Sequence, residues 1–373
     1  MYRNTYVEID TNKIKNNIKN IINYYDYKYY IGVVKANAYG FGEEIVKYME
    51  EAGINYFAVS NLDEALNVRK FTKLPILILE PIDLKYLDIV IKNNITITLS
   101  NYDDYNELIK LDYKKLKIHL KIDSGMHRLG FTDKNIIKEV FDKLNSNIEG
   151  IYTHLSTSGI NDSKYDNQIA NFKELTSLID ISNKIVHIGR SATLINHKRL
   201  DFVNAIRLGI IMYGINNDIK YSGIKGKIRS FKRNINLKQN NISPSILVSP
   251  IKIEQTFKLI SEVIEIKDIN KNEFIGYGLS CFTEENIKVG IVSVGYADGY
   301  DIRNKGNNVI INNKKYEVLC VNAGMIIVKI DNNVKLHDKV EVIYDVKETS
   351  NYTKQTVYTV TSNINSNVKR SYK

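Results

Sequence analysis

Three segments of the 373-residue chain gather residue types that can do chemistry. The first is VVKANAYGFG (33–42), in which Lys35 closes an apolar, β-rich run. A lysine at the mouth of such a run is desolvated, so its amine gives up its proton more readily and can attack a carbonyl to form a Schiff base. Position alone also allows a lysine that merely caps a strand in solvent. The other two segments are HIGRSAT (187–193) and RLGIIMYG (207–214). Ser191 can donate through its hydroxyl, and Gly209 lets backbone N–H groups come close to an anion. A reactive lysine beside a phosphate cradle points to a phosphorylated aldehyde cofactor, and pyridoxal 5′-phosphate is the obvious candidate.

These segments need a scaffold that brings strand ends together. Short apolar runs recur at 30–34, 56–60, 75–79, 95–99, 116–122, 148–153, 184–188 and 202–208. Amphipathic stretches such as 43–51, 63–70, 133–144 and 165–181 lie between them. Eight strands, most followed by a helix, predict a (β/α)8 TIM-like barrel with function at the carboxyl ends of its strands. A doubly wound sheet competes, but leaves two strands without a place. Beyond about residue 237 the runs become short, β-branched and separated by Asn, Gly and Asp, which predicts a C-terminal mainly β domain. The expected domains are therefore 1–236, the barrel with the N-terminal strand, and 237–373, with a basic insertion near 220–252 at the join.

Composition narrows the class. The chain has 52 Lys+Arg against 42 Asp+Glu, a net charge of +10. Eight basic residues and no acidic ones fall between Asp218 and Glu254 (Lys220, Lys225, Lys227, Arg229, Lys232, Arg233, Lys238 and Lys252), so this stretch carries eight of the ten excess charges. It holds only Tyr221 and Phe231 as aromatic stacking positions, which gives no support to nucleic-acid binding. Neither a signal-peptide core nor a membrane-spanning run is visible, and two cysteines exclude a disulfide scaffold. The expectation is a cytoplasmic protein that binds neither membrane nor nucleic acid.

The order of the motifs is similar to that of the alanine racemase family, whose members depend on pyridoxal phosphate. The resemblance runs from YVEID (6–10) through VVKANAYGFG, HLKIDSGMHRLG (119–130), GIYTHLST (150–157) and RLGIIMYG to GYG (276–278) and VGYADGY (294–300). It implies that Lys35 holds the cofactor and serves as one catalytic base. Tyr39, Ser191, Gly209, Ile210 and Tyr358 match residues at the cofactor phosphate, and Arg207 the arginine facing the pyridine nitrogen. Tyr277 matches the second base, delivered from the partner subunit of a homodimer with shared active sites. His154 and Arg207 match the chain behind that tyrosine. Arg128 matches the arginine that steadies the substrate carboxylate, Lys121 a lysine that is often carbamylated, and Tyr296 a tyrosine at the substrate entrance. Asp298 and Arg303 are expected to organise the turn after it. The implied reaction interconverts L- and D-alanine, which in this family supplies cell-wall precursors.

The chain departs from the family pattern in places. A usual Cys-Met-Asp at the substrate carboxylate is Cys320-Val321-Asn322 here, which keeps a backbone N–H at Val321 but replaces a carboxylate with the amide of Asn322. Arg190 stands before Ser191 where the family usually has Asn. Racemisation of serine or another amino acid therefore stays open, as does a non-catalytic cofactor-binding protein. Tyr358 narrows the pocket and favours a small side chain.

Overall fold

The protein is described from a computed structural model, which covers residues 3–156, 163–215, 251–277 and 281–373, with residues 228, 231 and 235. Strand β1 (Tyr6–Ile9) is followed by eight parallel strands. They are β2 (Tyr29–Val33), β3 (Tyr56–Val59), β4 (Ile76–Ile78), β5 (Ile95–Leu99), β6 (Lys117–Lys121), β7 (Ile148–Tyr152), β8 (Ile185–Arg190) and β9 (Ala205–Leu208). They pair in chain order and β9 closes on β2, making the expected barrel. β3, β4 and β5 are buried along their whole length, because helices cover one face and the barrel interior the other.

The helices begin where the sequence supplies caps. Asp10, Asn61, Asn101 and Asp133 each accept a backbone N–H from the first turn of the helix that follows. The helix Lys134–Leu144 buries Ile137, Val140, Phe141 and Leu144, spacings of three and four that put one stripe against the barrel.

The second unit is mainly β. Its strands are β10 (Phe257–Ile269), β11 (Phe274–Ile275), β12 (Cys281–Phe282), β13 (Ile287–Val292), β14 (Asn308–Ile311), β15 (Lys314–Val321), β16 (Ile326–Ile330), β17 (Lys339–Ile343) and β18 (Lys369–Tyr372). Two helices, Val346–Thr353 and Val357–Ser362, lie before β18.

One expectation needs correction. β1, grouped with the barrel from the sequence, belongs to the sheet of the second unit, antiparallel to β10 and parallel to β18. The barrel is already closed at β9–β2 and offers no free edge, whereas β10 and β18 do, and Val7 and Ile9 are buried there. Of the eight residues in the basic stretch, Lys252 is described and pairs with Glu254 at 3.1 Å; the other seven lie outside the described residues.

Candidate active site

β2 delivers Lys35 to the carboxyl end of the barrel. The four residues after it, Ala36 to Tyr39, all take left-handed backbone angles, with φ between 51° and 56°. Each costs an L-residue on the order of 1–2 kcal/mol, so the turn has to be held from outside. Glu64 does so from the capped helix Leu62–Arg69: one carboxylate oxygen accepts the Ala36 N–H at 2.8 Å and the other the Ser60 N–H at 2.7 Å. From the second unit, Arg370 Nε donates to the Gly40 carbonyl at 3.0 Å and Tyr372 Oη to the Phe41 carbonyl at 2.9 Å.

Lys35 opens onto a cavity of about 740 Å³, whose walls also carry Tyr39, Lys121, Arg128, His154, Ser191, Arg207, Gly209 and Tyr358. Nine of the residues expected at a site are thus brought together, and Arg190 joins them. At one end the Gly209 N–H donates to Ser191 Oγ at 3.0 Å, so the serine proton is left to donate elsewhere. A β-carbon on Gly209 would lie 3.4 Å from Tyr39 Oη and 3.8 Å from Ser191 Oγ, filling the notch between two hydroxyls. Burial raises the Tyr39 phenol well above its ordinary value, which keeps it a proton donor. Its ring centroid is 5.4 Å from that of Tyr358. Ile210 is buried immediately behind Gly209.

At the other end lies a cationic group. Arg207 is 3% exposed, and burial brings its guanidinium down to about 10, still protonated at neutral pH. It donates to the carbonyls of Thr153 and Ile188, both at 2.8 Å, and of His187 at 3.1 Å, and to the Nδ1 atoms of His187 at 2.5 Å and His154 at 3.4 Å. Its Nε makes no hydrogen bond among the described residues. Burial, then the cations Arg207, Arg190, Arg128 and Lys121, push His154 down to about 2, so this ring is a neutral acceptor. Lys121 falls to about 8 through burial and the nearby Arg128 and Arg207. Arg128 rides on a turn wrapped around Asp123, whose carboxylate accepts the N–H groups of Gly125, Met126, His127 and Arg128 at 2.8 to 3.1 Å.

Besides Ile210, four expected site residues lie outside the cavity lining. Tyr277 stands at the end of the β11–β12 region with 84% of its surface exposed. Tyr296 is 53% exposed and lines a separate groove with Gly299, Asp301, Ile302 and Asn363. Val321 and Asn322 follow one another at the end of β15, where the Asn322 carbonyl accepts the Tyr296 N–H at 3.0 Å. Asp298 accepts the Gly295 N–H at 2.8 Å and also anchors both guanidinium arms of Arg3; Arg303 pairs with Asp301 at 2.8 Å.

Glu64, Asp123, His119, His187 and Glu149 were not singled out from the sequence. The signal for the histidines was present: a titratable ring set between apolar neighbours within a strand, in KIHLK and IVHIGR. Glu64 and Asp123 carry no local signal, because their partners are backbone N–H groups of turns whose shape the sequence does not announce.

Comparison with known proteins gives the family and agrees with the fold. Residues 9–217 match the family model "Alanine racemase, N-terminal domain" and residues 256–372 match "Alanine racemase, C-terminal domain". An alanine racemase of Lactococcus lactis subsp. cremoris (strain SK11) is 34% identical over 355 residues, 92% of this chain and 89% of the relative. Among solved structures, alanine racemase from Bacillus anthracis with bound L-Ala-P aligns with a TM-score of 0.83 and 29% identity, covering 98% of this chain and 94% of that one. Alanine racemase from E. faecalis aligns with a TM-score of 0.85 and 27% identity, covering 100% and 99%. The chain belongs to the alanine racemase family.

Proposed function

We propose that the protein is a pyridoxal-phosphate-dependent racemase that interconverts L-alanine and D-alanine, working as a cytoplasmic homodimer. The observation that carries this reading is the convergence of Lys35, Ser191, Arg207 and Gly209 on one cavity at the carboxyl end of the barrel. The residues fit the cofactor. The Gly209 notch between Tyr39 and Ser191 suits a phosphate, with Tyr358 beside it and Ile210 supporting the turn. Arg207 offers Nε toward a ring nitrogen and, remaining protonated, can only donate to it. That donation keeps the ring nitrogen unprotonated and disfavours side reactions such as transamination.

When bound, pyridoxal phosphate withdraws electrons from the substrate Cα and so acidifies its proton. Lys35 Nζ takes or returns that proton on one face of Cα. Tyr277 Oη of a second copy serves the opposite face, because racemisation needs an acid and a base on opposite sides. A phenol exposed at 84% on the second unit, outside its own chain's cavity, is consistent with use across an interface. The exposed Phe274, Phe282, Met325 and Ile302 of the same unit offer apolar surface for the partner. His154 accepts from Arg207 and stays neutral, so it can relay a hydrogen bond toward the incoming tyrosine. Arg128, held by the Asp123 turn, meets the substrate carboxylate, with the Val321 N–H and Asn322 amide of the second copy and Tyr296 at the entrance. Two free cysteines, Cys281 and Cys320, suit a reducing compartment.

Three measurements test this. Borohydride should fix the cofactor covalently on Lys35; no fixed label in cofactor-supplied protein overturns the assignment. Mixing Lys35→Ala with Tyr277→Phe should restore activity in heterodimers, and inactive heterodimers would overturn the shared site. A substrate panel of alanine, serine and basic amino acids should give alanine the highest kcat/KM.

A further inference from the structure

Among the described residues Arg207 has no anion as a hydrogen-bond partner, its partners all being carbonyl oxygens or imidazole nitrogens. A guanidinium this deeply buried is expensive unless a negative charge is tied to it. The barrel core contains one at its opposite end. His187 meets Arg207 through Nδ1 at 2.5 Å and His119 Nδ1 through Nε2 at 2.8 Å. His119 Nε2 has no hydrogen-bond partner among the described residues and faces Glu149 Oε1 at 3.6 Å. Glu149 in turn accepts from the hydroxyls of Tyr56 at 2.5 Å and Thr96 at 2.9 Å.

The direction of this chain admits one solution when both rings are neutral. Arg207 can only donate, so His187 Nδ1 accepts and its proton sits on Nε2. His187 Nε2–H then donates to His119 Nδ1, which leaves the His119 proton on Nε2, aimed at the Glu149 carboxylate. Burial disfavours the protonated form of both rings, and a proton on His187 Nδ1 would collide with Arg207. Packing locks both in place. Tyr152 stacks on His187 at 4.5 Å and 8°, and the His119 ring fills the space a β-carbon on Gly150 would need, 2.5 Å away.

We propose that Glu149, His119 and His187 are positioning residues for Arg207, a one-way donor chain that ties the guanidinium at the candidate site to a carboxylate at the amino-terminal end of the barrel. The inference rests on the reading of Arg207 given above. The chain holds Nη1 in one orientation, so that Nε is left for the cavity.

Nitrogen-15 NMR of histidine-labelled full-length protein tests it, with signals assigned by single substitutions. His119 and His187 should both show the Nε2–H tautomer and should not titrate between about pH 6 and 9, a window in which a free imidazole changes charge. The charged and titratable groups facing them are Arg207, Lys121, Tyr152, Tyr56 and Glu149. A Nδ1–H tautomer, or titration near the ordinary histidine value, overturns the proposal. Glu149→Gln keeps an acceptor for the two hydroxyls but removes the charge. It should weaken the anchor of His119 while both tautomers, set from Arg207, stay in place, and lower kcat about tenfold with KM unchanged, as loss of an outer partner does in other sites. His119→Asn, which keeps an acceptor for His187 and ends the chain there, should lower kcat similarly in folded protein. Unchanged kcat in both folded variants overturns the proposal. A sample that carries no pyridoxal phosphate defeats the proposed function, while the ring tautomers still decide the donor chain.

Discussion

Gly40 lies directly on the backbone of Thr361: a β-carbon at Gly40 would fall 2.0 Å from the Thr361 carbonyl oxygen. The contact joins the turn that carries Lys35 to the helix Val357–Ser362, which carries Tyr358. Gly40 also has a φ of 89°, where a side chain is strained whatever the space. Gly40→Ala should therefore cost about 2 kcal/mol or more in denaturant unfolding and should loosen cofactor retention. Gly324→Ala, with nothing within 4 Å of the new carbon, should stay within about 0.5 kcal/mol of the parent. Equal stability of the two variants would show that the contact is not tight.

Glu64 holds the left-handed turn by its Ala36 and Ser60 N–H groups. Glu64→Ala leaves both donors unpaired, a loss of about 1–3 kcal/mol if water does not replace the carboxylate. The turn should relax and move the Lys35 amine, so that kcat falls more than unfolding stability does. Steady-state kinetics alongside denaturant unfolding would check this; an unaltered kcat would remove Glu64 from the positioning of Lys35.

Buried neutral histidines make stability depend on pH. His119, His154 and His187 all have their folded-state values lowered, chiefly by burial, whereas unfolded histidine titrates near about 6.5. Below that value the unfolded chain takes up protons that the folded chain refuses, so stability falls as pH falls. The slope is about 1.4 kcal/mol per pH unit for each ring that stays neutral. Unfolding free energies at pH 7, 6 and 5 should show the decline beginning near pH 6.5, and a flat profile would contradict neutral rings.

Lys121 titrates at about 8, which leaves part of its amine neutral near physiological pH. A neutral amine is the form that adds carbon dioxide, and the resulting carbamate would place an anion beside Arg128. Labelled bicarbonate should give a carbamate carbon signal that Lys121→Ala abolishes, and removal of carbon dioxide should lower activity reversibly. Absence of both effects would leave Lys121 a plain amine facing Glu80 and Asp123.

Much of the molecule can be read without coordinates. The eight barrel strands appear as apolar runs because each is covered on both faces, and the second unit announces itself by short β-branched runs between turn residues. Lys35, Ser191, Arg207 and Gly209 stand out because chemistry restricts their types and because strand ends are where such a barrel works. What the sequence determines, then, is local: the periods, the caps and the reactive residue types, each set by interactions within a few residues.

Only the tertiary structure decides the rest. It moves β1 out of the barrel, because a closed ring of strands has no edge to offer. It bends the chain after Lys35 into a left-handed turn whose supports, Glu64, Thr361, Arg370 and Tyr372, come from up to 337 positions away in numbering. It lines up Glu149, His119, His187 and Arg207 across four strands, and leaves Tyr277 exposed outside its own chain's cavity. These are long-range pairings of donors, acceptors and charges. Their geometry exists only once packing has brought distant strands together, and so no local pattern can encode it.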